Sequence, residues 1–300
     1  MLFHANRQYV SLLFRRWTAR FGTLAAFVCG WAGLLVSIIK DGEVIIMVAG
    51  LIIVTALASF VWAVPNCYHR HKIGSRDCSI ELVVGDMIED SDDMIIPANT
   101  FFDTNGTISR RSIQAQLAER RFGNDIARLD EMLTKAIKDS GLKGVKVSEK
   151  TKGKKIRYPI NSIIWVSAGK KNEDTQRFYW LAMCDFNNDG SIIRERTDIE
   201  SSVAAIWNCL KKQPHVRTLC MPVLGTGLTP NGMAPFDVIG MIVDTFLTEA
   251  AADGLVKSLR IYLYPNDSET FTTFKLADSY IRYRIRNLGT ERLKAAYRNR

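Results

Sequence analysis

Three short polar segments each follow an apolar run that is typical of a buried strand: Asp86, Asn99 and a glycine-rich turn at 225–232. A carboxylate can accept a hydrogen bond from an exocyclic amine such as that of adenine, and an amide can bond ribose hydroxyls. Glycines let backbone N–H groups approach phosphate oxygens, and a helix that follows favours negative charge at its N-terminus. At the carboxyl ends of strands in an α/β sheet, the three segments would offer partners for a base, a ribose and a diphosphate.

Each segment also has a purely structural interpretation. Asp86 fits a solvated turn, Asn99 fits an Asx turn, and the glycines fit a tight connection. The glycine-rich turn is not a Walker motif, because no Gly-Lys-Ser/Thr follows it, and Pro230 stands where a dinucleotide-binding motif needs its third glycine. Ordinary kinase, GTPase and dehydrogenase functions are therefore disfavoured.

The elements that would position these segments alternate between strand and helix patterns. Strands are predicted at Ser79–Val84, Asp93–Ala98, Phe178–Cys184, Thr218–Leu224 and Leu259–Tyr264, with extended sequence over Ile156–Ala168. Helices are predicted at Ser112–Phe122, Asp125–Ser140, Asp198–Lys211, Asp237–Ala252 and Glu269–Arg286. This alternation predicts an α/β domain in which a mixed or parallel sheet lies between helices on both faces.

Two long runs before this domain carry no charged side chain. Phe21–Ile39 and Val44–Val64 are each long enough to cross a bilayer, and residues 40–43 alone join them. We expect an antiparallel transmembrane hairpin, and the positive-inside rule places both termini in the cytoplasm of a bacterial inner membrane. A secretory signal peptide fits less well because a second run follows at once, and a buried soluble hairpin fits less well because neither run has a polar face.

The net charge of +9 is unevenly distributed. Residues 1–76 hold eight basic and two acidic side chains, a net charge of +6, and residues 77–300 contribute the remaining +3. Because most of the basic charge lies beside the predicted spans, it indicates a membrane surface, and no nucleic-acid partner is predicted.

Cysteine and histidine give no metal motif. The six cysteines show no CxxC spacing and are expected to be free thiols. His69 and His71 flank Arg70 in a short basic segment, and a structural interpretation of this pair is favoured over a metal site. The sequence predicts neither a metal nor a cofactor.

The three polar segments together resemble the macro domain, a module that binds ADP-ribose. The matching residues are Gly85-Asp86-Met87, Ala98-Asn99 and Gly225-Thr226-Gly227, in the family's order over about residues 79–266. This resemblance implies an α/β/α three-layer domain with a mixed sheet.

Longer stretches resemble bacterial macro domains attached to paired membrane helices, which include the membrane effectors of type II Thoeris anti-phage defence. The stretches are Ile95–Thr104, Ser112–Gln114, Pro222–Leu228 and Ile261–Pro265. In that family a TIR-domain enzyme makes an ADP-ribose-based nucleotide signal, the macro domain binds it, and the effector assembles and damages the membrane. The resemblance therefore implies a lipid bilayer, a nucleotide second messenger and a ligand-dependent homo-oligomer as partners.

The resemblance also assigns ligand-binding roles to particular residues. Asp86 would meet the adenine amine, Met87 and Ile88 would line the base pocket, and Asn99 would contact the distal ribose. The diphosphate would be wrapped by Leu224, Gly225, Thr226, Gly227 and Leu228. Four further residues would touch the phosphates, the distal group or the adenosine: Ser112, Gln114, Tyr264 and Asn266.

The loop after Asn99 departs from that of the hydrolytic macro domains, which is rich in consecutive glycines. Here Phe101, Phe102 and Asp103 stand in that loop, and we count them among the predicted ligand-binding residues. The aromatic bulk would reshape the distal end of the cleft, and Asp103 is the nearby carboxylate that could act as a base. This composition favours binding over hydrolysis, so we predict no catalytic residue. The expected ligand is an ADP-ribose derivative such as an amino-acid conjugate.

Together these observations predict a ligand-gated membrane effector rather than an enzyme. The predicted organisation is a basic segment at 1–20, a transmembrane hairpin at 21–64, a juxtamembrane linker at 65–78, a macro-like domain at 79–286 and a basic tail at 287–300. Two alternatives stay open. One is a membrane-tethered ADP-ribosyl hydrolase, and the other is a static membrane scaffold that recruits a protein partner.

Overall fold

A computed structural model describes most of the chain from residue 42 onward and a few positions before it. The described ranges are 14, 17–24, 26, 30, 42–63, 67–74, 77–104, 108–123, 125–168, 176–186, 192–193, 199–213, 216–225, 233–251, 253–265 and 268–298. By internal contacts the chain divides into two units, Met1–Cys67 with Pro265–Phe271 and Tyr68–Tyr264 with Thr272–Arg300.

The first unit contains helix α1, Gly42–Ala63. Trp17 packs beside the second half of this helix. Its indole Nε1 donates a hydrogen bond of 3.2 Å to the carbonyl of Ala56, and its ring meets that of Phe60 edge-on at 6.2 Å.

The predicted location in a membrane needs correction. Among the residues that the structure describes, no helix has both the length and the apolar character needed to cross a bilayer. The prediction of a two-span protein of the bacterial inner membrane, with both termini in the cytoplasm, is therefore wrong. The predicted second span, Val44–Val64, overlaps α1, and most of the predicted first span, Phe21–Ile39, lies outside the described residues. An uncharged run establishes only that a segment avoids charge, and it does not establish what buries its apolar side chains.

The second unit is built from strands and helices in alternation. The strands are β1 (Tyr68–Lys72), β2 (Ser79–Val84), β3 (Asp93–Asn99), β4 (Val145–Lys146), β5 (Ile156–Arg157), β6 (Ile163–Ala168), β7 (Gln176–Phe186), β8 (Ile192–Ile193), β9 (Val216–Pro222) and β10 (Val256–Leu263). The helices are α2 (Ile113–Phe122), α3 (Ile126–Asp139), α4 (Ile199–Leu210) and α5 (Pro235–Thr245). Helix α6 spans Ser268–Arg298, a 3-10 turn spans Met87–Glu89, and a π-helical turn at Phe246–Ala250 continues α5.

The main sheet has the order β1-β2-β10-β9-β3-β7-β6, and β8 pairs with the end of β7. The five strands from β2 to β7 run parallel to one another, whereas β1 and β6 are antiparallel to their neighbours. In the centre, Ile261 of β10 lies opposite Leu82 of β2 and Met221 of β9. The sheet is therefore mixed, as predicted.

Helices cover both faces of this sheet. Side chains alternate between the faces along a strand, so Phe178 and Trp180 of β7 pack into the core under α2 and α3. The ring of Phe178 lies 6.0 Å from that of Phe122 at the end of α2. Tyr179 and Leu181 point to the opposite face and are also fully buried. Contacts of α4 with α5 and with β7 build that second layer, so the predicted α/β/α arrangement is confirmed.

The predicted juxtamembrane linker, residues 65–78, contains strand β1. Its alternating sequence of polar residues, Tyr-His-Arg-His-Lys, carries no apolar face by which sequence alone would identify a strand. Pairing with β2, from Tyr68 opposite Val83 to Lys72 opposite Ser79, supplies the backbone partners instead.

Burial in the central strands predicts the cost of truncating them. Ile261 is fully buried in β10, and Ile261→Ala should lower the free energy of unfolding by about 3 kcal/mol because a cavity replaces the removed carbons. Urea denaturation of the purified chain measures this loss. Ile160→Ala, at an exposed position, is the matched control and should cost less than about 1 kcal/mol. Equal losses in the two variants would contradict this account of the core.

Candidate functional site

The carboxyl ends of the parallel strands meet at one edge of the sheet. Gly85, after β2, donates its backbone N–H to Leu263 at the end of β10 over 3.0 Å. Thr100, after β3, donates to the carbonyl of Cys184 in β7 over 2.8 Å. Because β2, β9 and β3 run in the same direction, Asp86, Asn99 and the described start of the glycine turn, Leu224 and Gly225, lie at this common edge.

Asp86 lies just beyond β2 and is held from two sides. One carboxylate oxygen accepts the backbone N–H of Ile88 at 3.1 Å and so caps the 3-10 turn. The other accepts a hydrogen bond of 2.6 Å from Arg120 of α2, which also contacts Glu89 at 3.0 Å. The Asp86 side chain remains 27% exposed. A partly exposed carboxylate that is fixed in position retains lone pairs for an external donor.

The turn after Asp86 is anchored to the same helix. Met87 and Ile88 are buried, and the guanidinium of Arg121 donates to the Ile88 carbonyl through Nε at 3.0 Å. The hydrogen bond from Arg121 to the Ile88 carbonyl therefore ties the turn to α2.

A buried charge cluster supports this turn from the sheet side. Arg260 of β10 donates through Nε to Glu81 at 2.7 Å and through Nη1 to Asp90, and its Nη1 lies 3.1 Å from Asp92. The hydroxyl of Tyr262 donates to the same Asp90 carboxylate. One arginine thus joins the middle of the sheet to the end of the β2–β3 connection.

The cluster changes the proton affinity of its members. Burial alone would raise the pKa of Asp90, but hydrogen bonds from Tyr262 and Arg260 outweigh it and hold that pKa below its ordinary value. Burial and the neighbouring Asp90 charge raise the pKa of Asp92. Burial, followed by the hydrogen bond to Asp90, raises the pKa of Tyr262. Asp90 is therefore the ionised centre of the cluster.

The side chain of Asn99 is buried and closes an Asx turn, which is the structural alternative that the sequence left open. Its Oδ1 accepts the backbone N–H groups of Phe101 at 2.9 Å and Asp103 at 3.2 Å. Its Nδ2 donates to the Asp103 carboxylate at 3.3 Å. Asn99 therefore sets the path of the loop that leaves β3.

Asp103 forms a buried ion pair that sequence analysis missed. Lys150 Nζ lies 2.6 Å from Asp103 Oδ2, and both side chains are almost completely buried. The other oxygen accepts the backbone N–H of Lys154 at 2.6 Å. The ammonium of Lys150 also lies 3.6 Å from the centre of the Phe101 ring, a favourable cation–π distance. No local pattern distinguishes Lys150 from the other lysines of its segment.

The two aromatic residues of the loop fill the interior. Phe101 and Phe102 are completely buried, and Phe102 adopts a positive φ of 50°. The Phe102 ring packs 5.6 Å from that of Tyr158. The two rings therefore anchor the loop in the hydrophobic core.

Ser112 and Gln114 both act locally in the structure. Ser112 caps α2, because its hydroxyl accepts the backbone N–H of Ala115 at 3.2 Å. Gln114 is buried and donates through Nε2 to the Asp103 carbonyl at 3.3 Å. They tie the start of α2 to the loop after β3.

The glycine-rich turn is described only at its beginning. Leu224 is buried and Gly225 has a positive φ of 69°, a conformation that favours glycine. Thr226, Gly227 and Leu228 lie outside the described residues, as does Asn266. Tyr264, just beyond β10, is 43% exposed.

A groove of about 870 Å³ lies elsewhere, along the edge strand β6 and between α3 and α4. Its lining includes Trp165, Lys135 and Cys209. None of the described residues of the three segments lines this groove, so it is not part of the candidate site.

Comparison with known proteins gives one family. The family model described as "Thoeris protein ThsA, Macro domain" matches residues 80–264. Thoeris protein ThsA of Bacillus amyloliquefaciens (strain Y2) is 21% identical over 249 residues, which cover 78% of this chain and 78% of that protein. The solved structure of an Oceanobacillus iheyensis macrodomain with ADP aligns with a TM-score of 0.50 at 12% identity, covering 72% of this chain and 97% of the other. This structural likeness supports the fold alone.

The Asp103–Lys150 pair predicts a large and non-additive effect of substitution. Lys150→Met should lower the free energy of unfolding by about 3–5 kcal/mol, because it leaves Asp103 charged and buried. Combining it with Asp103→Asn should cost less than the sum of the two single changes. Denaturant titration measures all three variants, with Lys152→Met at an exposed position as control. A loss below about 1 kcal/mol for Lys150→Met would contradict the buried pair.

Asp90 predicts a pH dependence of stability. A carboxyl whose pKa is lower in the folded state contributes stability above its unfolded pKa and loses it as the pH falls through the folded value. Asp90→Asn should therefore cost about 2 kcal/mol at neutral pH, and this difference should shrink below about pH 4. Urea denaturation of both proteins, from neutral pH to below about pH 4, measures this difference in the free energy of unfolding. Asp253→Asn, which breaks an exposed pair with Lys211, should change little at any pH.

Proposed function

We propose that this chain, which belongs to the macro-domain family of Thoeris protein ThsA, is a ligand-binding effector of Thoeris antiviral defence that binds an ADP-ribose derivative. The observation that carries the proposal is the convergence of Asp86, the loop after Asn99 and the turn at Gly225 on one edge of five parallel strands. Ligands of α/β sheets bind at this edge.

The contacts of Asp86 suit recognition of a base. Arg120 and the N–H of Ile88 hold the carboxylate in place, and part of it stays exposed. In the proposed complex it accepts a hydrogen bond from the adenine amine, while Met87 and Ile88 form the apolar floor below. A charge-assisted hydrogen bond of this kind contributes more than a neutral one.

Diphosphate binding is assigned to the turn 224–228. Gly225, the second residue of this turn, has a left-handed conformation shortly after β9 ends at Pro222. Backbone N–H groups of such a turn can converge on an anion. The distal end of the proposed ligand site is formed by the loop after β3, whose path is set by Asn99, Ser112 and Gln114. The adenosine is assigned to a border formed by Tyr264 and Asn266.

The burial of Asp103 favours binding over hydrolysis. A general base must reach the proton that it removes, directly or through one water. Asp103 is almost completely buried, and Lys150, Lys154 and Asn99 engage its carboxylate oxygens. The carboxylate that sequence analysis considered as a base is thus committed to structure, which supports an effector rather than an ADP-ribosyl hydrolase.

The proposal extends to the source and the effect of the ligand. We assign the ligand to the nucleotide second messenger of a TIR-domain enzyme, in a form such as an amino-acid conjugate of ADP-ribose. Binding then favours a homo-oligomer, which requires that the assembled state bind the ligand more tightly than the free chain does.

Calorimetric titration of the full chain tests the site. ADP-ribose, NAD and an amino-acid conjugate of ADP-ribose are the titrants, and the conjugate should bind most tightly without turnover. Asp86→Asn keeps the helix cap but removes the charge, so affinity should fall about 10-fold or more. Glu89→Gln, which alters the other carboxylate bound to Arg120, should leave affinity nearly unchanged.

A second pair of variants tests the glycine turn. Gly225→Ala should weaken binding, whereas Gly254→Ala imposes the same strain at a positive φ of 64° outside the proposed site and should not. Sedimentation of the titrated samples reports assembly. No heat from any titrant with a folded protein would overturn the ligand proposal and favour the scaffold alternative. Release of ADP-ribose from the conjugate would favour the hydrolase.

A further inference from the structure

Two histidines of β1 and one aspartate of α6 converge on a single point. His69 Nδ1 lies 2.5 Å and His71 Nε2 lies 2.8 Å from the same oxygen, Oδ1 of Asp278. One ligand atom from each of the three residues can be chosen so that all lie within 4.8 Å of one another. This group, called here the His69–His71–Asp278 cluster, is independent of the proposed nucleotide site.

The fold explains the convergence. Residues two apart on a strand share a face, so His69 and His71 project together from β1. Their backbones are fixed by pairing with Leu82 and Ile80 of β2. On α6, Phe274 lies one helical turn before Asp278, and its ring packs 5.3 Å from that of His69. The three donor groups are therefore held by regular elements.

The donor set is that of a zinc site. Zinc takes imidazole nitrogen and carboxylate oxygen as ligands, and sites with three protein ligands leave a fourth position for water. Ligand atoms around a tetrahedral zinc with bonds of about 2.0–2.1 Å lie about 3.3 Å apart, so the cluster needs to open by less than 1 Å at each measured contact. Two imidazoles disfavour Mg²⁺ and Ca²⁺, which prefer oxygen ligands.

Access to the cluster also suits a cation. The His69, His71 and Asp278 side chains are 31%, 13% and 8% exposed, so the cluster is open from the side of His69. Arg282 occupies the second oxygen, Oδ2, and thereby leaves Oδ1 to face the histidines. The Arg282 side chain is itself 61% exposed and can move toward solvent.

A second group of potential ligands is less accessible to a cation. Asp90, Asp92 and Cys220 also lie close together. However, the guanidinium of Arg260 and the hydroxyl of Tyr262 already bind the Asp90 carboxylate. A cation there would have to displace an arginine that is only 13% exposed, so this group is not a comparable candidate.

We propose that the His69–His71–Asp278 cluster binds one Zn²⁺ ion and that the ion fastens the edge strand β1 to helix α6. His69 contributes Nδ1, His71 contributes Nε2 and Asp278 contributes Oδ1. Each metal-bound imidazole is neutral and keeps its N–H on the ring nitrogen that does not bind the ion, which is Nε2 in His69 and Nδ1 in His71.

Titration of the metal-free, tag-free full chain with Zn²⁺ tests the site. We expect one ion per chain, no comparable binding of Mg²⁺ or Ca²⁺, and a rise of a few degrees in the thermal midpoint at about 100 times the Kd. Asp278→Asn and His71→Gln should each weaken Zn²⁺ binding at least about 10-fold. His215→Gln is the control for adventitious histidine binding and should leave affinity unchanged.

Folding of each variant is checked by circular dichroism without metal. His69→Gln alters the most exposed member of the cluster and carries the test if a variant at a more buried member does not fold. Absence of Zn²⁺ binding would overturn the proposal, and so would binding that survives the cluster substitutions or falls equally in His215→Gln. Nucleotide titration of the same variants keeps the two proposals distinguishable, because cluster substitutions should not change ligand affinity.

Discussion

Parallel pairing of β2, β10, β9, β3 and β7 is the constraint from which the rest of this domain follows. A parallel sheet buries both faces, so helices must cover each side, and every strand must return by a crossover. All five strands then end at one edge. Residues that are far apart in sequence, such as Asp86 and Gly225, reach that edge because each follows a strand of this parallel set.

Buried charges then fix the loops that leave this edge. Arg260 binds the β2–β3 connection through Asp90, and Lys150 binds the loop after β3 through Asp103. Ion pairs of this kind contribute little net stability compared with apolar residues, but breaking one leaves a costly unpaired charge. Their value here is geometric, because each one holds a loop backbone in a single arrangement above the sheet.

The two carboxylates near this edge differ in exposure. Asp103 is held by Lys150 inside the fold, whereas Asp86 stays partly exposed while Arg120 holds it. The proposed ligand-binding role rests on this difference, because a general base must reach the proton that it removes. The Zn²⁺ proposal concerns the β1 margin of the sheet, where the histidines of β1 meet a carboxylate from α6.

The sequence by itself determined the alternation of strands and helices, the mixed α/β/α fold and the family resemblance, because periodicity and short motifs are local properties. Uncharged runs also predicted a membrane hairpin, and that prediction was wrong, since hydropathy along a chain does not identify what buries an apolar surface. Only the tertiary structure revealed the polar strand β1, which has no apolar face and is held by its backbone pairing with β2. It alone joined Asp103 to Lys150 and His71 to Asp278, 47 and 207 residues apart, because such contacts depend on crossover connections that leave no periodic signal in the sequence.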